Sequence, residues 1–456
     1  MLSLAAIRAA RDRIADVARV TPVRYSHTFS ERTGASVSLK LENVQRTGAF
    51  KIRGALNRIA TLSDAEQAAG VVTASAGNHA QGVALAATRA GVDATIVMPE
   101  HAPISKVKAT RGYGARVVLD GVDYEEAQAR AHEIEREEGR TYVHAFDDEM
   151  VMAGQGTIGL EILEQQPDVE TVVVPIGGGG LISGIATAIT SQQPDVRVIG
   201  VQAEGASSVI DSLEAGEIRS RDSVDTVADG IATRSVGEQP FEIIQERVDE
   251  VVTVSDEEIA VALTYLLERS KTLVEGAGAA PMAALLFERF DYDDGETIVP
   301  ALCGGNIDTN QLTTVLVRGL VETGRYLKIR TVLRDHPGAL EELVEIIAAA
   351  RANIYAVQHD RTSRDVAMNE ADIEIDIETR GHDHIDEVLG ALEGAGYQVE
   401  VLACLASARR CCGDLSGSWR FWCSYRGSGC SWDPSGSDSL RPWRSRSTSG
   451  GCGRAW

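Results

Sequence analysis

The chain of 456 residues is poor in lysine: six stand among 44 basic side chains, against 67 aspartates and glutamates. The net charge of −23 argues against nucleic acid and against anionic membrane surfaces as partners. Scarce lysine with abundant carboxylate is also the surface style of salt-adapted, halophilic proteins. Up to residue 403 there is no tryptophan and one cysteine, Cys303. One cysteine supports neither a disulfide framework nor a thiolate metal centre, and it reads as a reduced, cytoplasmic setting. No apolar run reaches the ~18 residues of a membrane span. The N-terminal stretch MLSLAAIRAARDRIADV carries charges at helical spacing, so it reads as an amphipathic helix over 3–18 and not as a signal peptide.

Composition breaks near residue 403. All five tryptophans and six of seven cysteines lie beyond it, with eight arginines against three aspartates. No apolar periodicity continues there, and the cysteine spacing fits no standard zinc pattern. Residues 403–456 therefore read as a disordered or Cys/Trp/Arg-rich metal-binding tail, or as a segment that is not the evolved end of the protein, such as a shifted reading frame. The second reading is preferred because several residue types change together at one boundary.

The body alternates short apolar strands with helices. VSLKLEN (37–43) alternates as a strand, and FKIRGALNRIATL opens a helix. GVVTASAGNHAQGVALAATRAG, DATIVMPEHAPISKVKATRGYG and TVVVPIGGGGLISGIATAITSQQ each read strand, turn, helix. Further strands are read at 141–146, 196–205 and 296–306. This pattern specifies an α/β fold with parallel sheets covered on both faces. Ligands in such folds sit at the carboxyl ends of the strands.

Four segments fall at such ends or beside them. In TGAFKIRGA, Lys51 lies between Phe50 and Ile52. An apolar setting disfavours ammonium, and a neutral amine attacks carbonyls to form a Schiff base; taken alone, a snorkelling lysine is the plainer account. In PIGGGGL, the glycines 177–180 follow an apolar strand and open a helix, the geometry of a phosphate cradle. A hinge or a dinucleotide fingerprint are the rivals, but this stretch has no GxGxxG and no acidic residue about 20 positions on at a strand end. In SAGNHAQG, N–H groups of residues 75–79 are placed to receive a carboxylate, and the Asn78 amide a phenolic oxygen. His79 reads as a packed helix residue in preference to a catalyst. In ALCGGN, Cys303 ends a strand, either as a core cysteine or as a neutral partner for a ring nitrogen.

An amine for an aldehyde, an anion cradle, an amide for a phenol and a neutral group for a pyridine nitrogen together match pyridoxal 5'-phosphate. AFKIRGA, SAGNHAQG, PIGGGGL and LCGGN stand in the order and spacing of the fold-type II pyridoxal-phosphate enzymes. Over about residues 1–320 the chain resembles the serine/threonine ammonia-lyases, or threonine dehydratases. The resemblance implies a tryptophan synthase β-like fold of two parallel-sheet subdomains over 1–322. It implies Lys51 as Schiff-base lysine and Cα acid/base, and Gly177, Gly178, Gly179, Gly180 and Leu181 as the phosphate loop. It places Asn78 at the pyridoxal hydroxyl, Cys303 at the pyridine nitrogen and Phe50 on the ring. Ser75, Ala76, Gly77, Asn78 and His79 are the expected substrate-carboxylate segment, and Glu275 a supporting residue behind the site. The implied reaction turns L-threonine into 2-oxobutanoate and ammonia, the first step of isoleucine biosynthesis. Serine dehydratase, hydroxyaspartate ammonia-lyase or a non-catalytic amino-acid sensor are the alternatives. Related racemases carry a serine where Ala76 stands, which disfavours racemisation. Their metal carboxylates correspond to Gln202 and Ser208, so no metal is expected, although Glu204 is a conceivable substitute.

Residues 326–402 read as βαββαβ. DHPGAL and ANI resemble the ACT amino-acid-sensing module, with Asp335, Gly338 and Asn353 as regulatory positions and isoleucine as effector; a dimerisation module without ligand is the alternative. A homo-oligomer, dimer or tetramer, is expected.

Overall fold

The computed structural model describes residues 2–363 and 365–403; the expectations for residues 404–456 lie outside the described residues. A six-stranded sheet has the order β1-β2-β10-β7-β8-β9. Its strands are β1 (Val23–Tyr25), β2 (Ser36–Lys40), β7 (Thr171–Pro175), β8 (Arg197–Ala203), β9 (Glu250–Val254) and β10 (Thr297–Pro300). All pairings are parallel except β1 with β2. A second, fully parallel sheet has the order β5-β4-β3-β6. It is built from β3 (Val71–Ala74), β4 (Ala94–Met98), β5 (Arg116–Leu119) and β6 (Thr141–Tyr142). Val72, Val97, Val173 and Val198 are wholly buried, as strands require when helices cover both faces.

Helices couple the two sheets. Helix Glu149–Gln165 lies between helix Lys51–Ala60 and helix Gly180–Thr190, and their crossings are made by glycine. A Cβ on Gly154 would meet the Arg53 carbonyl oxygen at 2.5 Å, and one on Gly184 the Met152 carbonyl oxygen at 2.4 Å. This close approach brings the helix that begins at Lys51 toward the helix that begins at the glycine turn.

Several expected elements end early, among them the helix expected over 3–18, which stops at Ile14. The strand expected over 141–146 stops at Tyr142. Beyond it, His144 Nδ1 accepts the N–H groups of Phe146 at 3.3 Å and Asp147 at 2.8 Å, folding the chain into a turn. The strand expected over VSLKLEN (37–43) runs Ser36–Lys40, and Glu42 lies in the short 3-10 turn after it. Lys40 and Glu42 are fully buried; the strand that ends at Lys40 is internal to the sheet, between β1 and β10.

Residues 326–403 form an antiparallel sheet of order β12-β13-β11-β14, from β11 (Tyr326–Arg334), β12 (Asn353–Asp360), β13 (Glu370–Glu378) and β14 (Val399–Ala403). Helices Ala339–Ala349 and His382–Gly394 cover one face through Leu343, Ile347, Ile385 and Val388. Among the described residues no helix is long and apolar enough to cross a membrane.

Candidate active site

The turn carrying Lys51 is tied by backbone to the segment after β10, a strand that ends at Pro300 and not, as expected, at Cys303. Phe50 N–H donates to the Cys303 carbonyl at 3.1 Å and Gly305 N–H to the Gly48 carbonyl at 2.9 Å. Thr47 and Gly48 both have positive φ, 62° and 73°, a conformation glycine adopts freely and threonine only when held. Phe50 packs against the core that contains Ile176, Leu181 and Cys303. Lys51 itself is half-buried, and its Nζ donates to the Ala145 carbonyl at 2.8 Å. Burial lowers the amine to about 8, with the charge of Glu275 opposing the shift.

The glycine turn leaves β7 and enters helix Gly180–Thr190, with Gly179 at φ 93° as its cap. Its close neighbours exclude side chains. A Cβ on Gly178 would lie 2.4 Å from the Phe146 ring, and one on Gly180 2.6 Å from the Phe146 carbonyl oxygen. The first N–H groups of that helix have no partner within it. Beside Gly177 lies Thr233, whose Oγ1 is buried without a hydrogen-bond partner. A cradle with no room for a Cβ and an unused hydroxyl beside it fit a bound phosphate.

The segment after β3 is more constrained than its residue types suggest. Ser75 N–H donates to the Val97 carbonyl and Gly77 N–H to Ser75 Oγ, both at 3.1 Å. Those two donors are therefore spent, a correction to the expectation that 75–79 offers all its N–H groups; Ala76, Asn78 and His79 remain at the start of helix Asn78–Ala90. The His79 ring is buried, with Nε2 on the Val143 carbonyl at 3.1 Å, and burial lowers it to about 3. A neutral imidazole with its donor on a backbone carbonyl is a packing residue.

Asn78 Nδ2 donates to Glu275 Oε1 at 2.7 Å. Burial pushes Glu275 up to about 6 against the pull of that hydrogen bond. Gly304 permits the approach, since a Cβ there would stand 2.1 Å from Glu275 Oε1. Cys303, 2 % exposed, points its thiol at the Ala301 carbonyl at 3.1 Å, and burial raises it well above the ordinary thiol value. It is neutral at physiological pH.

Lys51, Phe50, Asn78, Glu275, Cys303 and the glycine turn thus share one region. Asp335, Gly338 and Asn353 lie in the separate C-terminal sheet unit. Asp335 pairs with Arg361 at 2.8 Å, Gly338 caps helix Ala339–Ala349 at φ 96°, and Asn353 Nδ2 reaches Glu378 at 3.1 Å. Of the two residues compared above with metal carboxylates, the Gln202 amide is spent on Ala206, Val209 and Ile210 of the backbone, and the buried Ser208 hydroxyl has no hydrogen-bond partner.

Sequence reasoning missed the turn 144–147, which supplies the carbonyl under Lys51 and the ring against Gly178. It also missed Thr233 and the buried quartet Lys40, Glu42, Arg53 and Glu161. Arg53 donates to Glu42 at 2.9 and 2.8 Å and to Glu161 at 2.6 and 2.9 Å, and Lys40 Nζ reaches Glu161 at 2.6 Å. The available signal was charge inside strand and helix segments that otherwise read as core.

The family model for pyridoxal-phosphate dependent enzymes matches residues 14–304. An L-threonine ammonia-lyase of Geobacter sulfurreducens is 52% identical over 402 residues, 88% of this chain and 100% of the relative. The solved structure of the processed form of threonine deaminase isoform 2 from Solanum lycopersicum is 40% identical with a TM-score of 0.67, over 69% of this chain and 92% of that one. Maize serine racemase is 36% identical with a TM-score of 0.66, over 70% and 98%. With a model matched over more than half its length and a relative half identical along its own entire length, this chain belongs to the pyridoxal-phosphate dependent enzymes.

Proposed function

We propose that the chain is a threonine ammonia-lyase, converting L-threonine to 2-oxobutanoate and ammonia by α,β-elimination. The observation that carries this reading is the convergence of Lys51, Asn78, Cys303 and the glycine turn in a chain 52% identical to an L-threonine ammonia-lyase. Lys51 would hold pyridoxal phosphate through its amine, Gly177–Gly180 with Leu181 through the phosphate, Asn78 at the phenolic oxygen, Cys303 at the ring nitrogen and Phe50 against the ring. When bound, that cofactor supplies an aldehyde and an electron sink for charge developing at Cα.

The remaining work falls to the chain. An amine lowered to about 8 is partly neutral near neutral pH, and Lys51 takes the Cα proton. The N–H groups of Ala76, Asn78 and His79 receive the substrate carboxylate. The neutral Cys303 thiol adds no charge at the ring nitrogen, which suits a reaction whose departing hydroxyl carries the electron pair away. Ala76 offers no proton on its face, which favours elimination over racemisation.

Purified protein with added pyridoxal phosphate is expected to show a visible absorption band and to turn over L-threonine faster than serine or 3-hydroxyaspartate. A protein with neither band nor 2-oxo acid product would end this reading. Cys303→Ser is expected to keep kcat/KM within about tenfold, about 1.4 kcal/mol, since both groups are neutral; a loss of several orders would remove the proposed contact.

The βαββαβ order of 326–402 supports an ACT-like, amino-acid-sensing role, with an effector near Asp335, Gly338 and Asn353, in a cytoplasmic homo-oligomer serving isoleucine formation. Isoleucine is expected to lower threonine turnover by the full chain. Turnover unchanged by isoleucine at saturating and subsaturating threonine would argue for a purely structural module.

A further inference from the structure

We infer that Asn306 is a positioning residue that sets which way the Asn78 amide faces, and so whether Asn78 can donate to a bound cofactor; this rests on the reading of the site as a pyridoxal phosphate site. Asn306 Nδ2 donates to the Thr47 carbonyl at 2.6 Å and to Asn78 Oδ1 at 2.7 Å. A backbone carbonyl only accepts, so the contact with Thr47 puts the NH₂ of Asn306 on that side. With both hydrogens committed, Asn306 leaves Asn78 only the acceptor role toward it. At its other end Asn78 faces a carboxylate, Glu275 Oε1, at 2.7 Å. The chain Thr47, Asn306, Asn78, Glu275 therefore has one consistent polarity, imposed from both ends. Asn78 Nδ2 keeps a second hydrogen for the site.

The same side chain braces the turn before Lys51. Asn306 Oδ1 lies where a Cβ on Gly48 would stand, 2.3 Å away. Thr47 is held at φ 62° with Asn306 on its carbonyl. One amide thus fastens the lysine turn to the head of helix Asn78–Ala90, although Thr47 and Asn306 are 259 residues apart.

A donor at a phenolic oxygen stabilises its anion, and a carbonyl turned toward it does the opposite. Asn306→Asp keeps the shape but offers acceptors alone, which turns the Asn78 NH₂ toward residue 306 and its carbonyl toward the site. The full-length variant, titrated with pyridoxal phosphate, is expected to lose visible absorbance in favour of the near-ultraviolet band of the un-ionised phenol, and to bind the cofactor about tenfold more weakly. In an Asn78→Ala background the same substitution is expected to leave the balance of the two bands unchanged, because the amide it acts through is gone, and only the loss of affinity that comes from the Thr47 contact remains. Asn306→Ser, whose hydroxyl donates to only one partner, shifts both in the same direction and serves if the aspartate variant does not fold. Parent-like spectra and affinity in both variants, or an equal shift without Asn78, overturn the inference. A parent protein that binds no cofactor overturns it together with the proposed function, whereas a parent with its visible band and silent variants overturns only the role of Asn306.

Discussion

Lys51→Ala is expected to abolish 2-oxobutanoate formation, a loss of at least about a thousandfold in kcat/KM or about 4 kcal/mol. Lys40 and Lys106, by contrast, are committed to carboxylates, Glu161 and Asp229. Near-normal turnover in that variant would sink the mechanism. A companion measurement tests the cause of the reactivity. In the cofactor-free protein the amine titrates at about 8, against 10.5 for an unburied lysine. Between these values the unfolded chain holds the extra proton, so native stability rises with pH across that window. Below it both states are protonated, and the folded state carries the whole cost of a desolvated ammonium. Lys51→Met removes the charge and keeps the stem. It is therefore expected to be the more stable protein at pH 7 by up to about 3 kcal/mol, with the gap closing as pH approaches 10.5. A gap independent of pH in chemical denaturation would show that the amine is not desolvated.

Arg53→Met is expected to cost about 3–5 kcal/mol, the range for breaking a buried pair and stranding its partner. Arg53 is 1 % exposed and is the common partner of Glu42 and Glu161. Burial pushes the Glu42 carboxyl up, but the Arg53 guanidinium overrides it and the net direction is down. Glu42 thus stabilises the parent above the unfolded carboxylate value and loses that contribution as pH falls. Without Arg53, burial, the largest influence on Glu42, is opposed only by Lys40 and the Thr21 hydroxyl, so the direction is expected to reverse and the variant to be penalised most at neutral pH. The difference in stability between parent and variant should narrow between pH 7 and pH 5. Activity should fall as well, because the Lys40 carbonyl on this strand holds Leu302 N–H at 2.9 Å, next to Cys303. A cost below about 1 kcal/mol, or one that grows on acidification, would count against the quartet as the anchor of this corner.

Strand, glycine turn and helix were readable at Thr171–Thr190 because each is set by residues a few positions apart. The same holds for Val71–Ala74 followed by helix Asn78–Ala90. The helix expected over 3–18 ends earlier, at Ile14. The strand expected over 141–146 was cut short by a side chain, His144, that bonds the backbone just ahead of it. The burial of Lys40 and Glu42 was not legible, because a period of two says only that alternate residues face opposite ways. In a sheet covered on both sides, the second face holds paired charges and not water.

The order of the motifs, the alternation of apolar strands with helices and the unbranched backbone of the glycine turn follow from the amino-acid sequence alone, since propensity and turn geometry are local. Which groups face one another was decided only by the tertiary structure. Asn306 meets Asn78 across 228 residues, Asn78 meets Glu275 across 197, and Arg53 meets Glu161 across 108. Such contacts depend on how closely whole helices approach, and on buried polar groups having to find partners wherever packing supplies them.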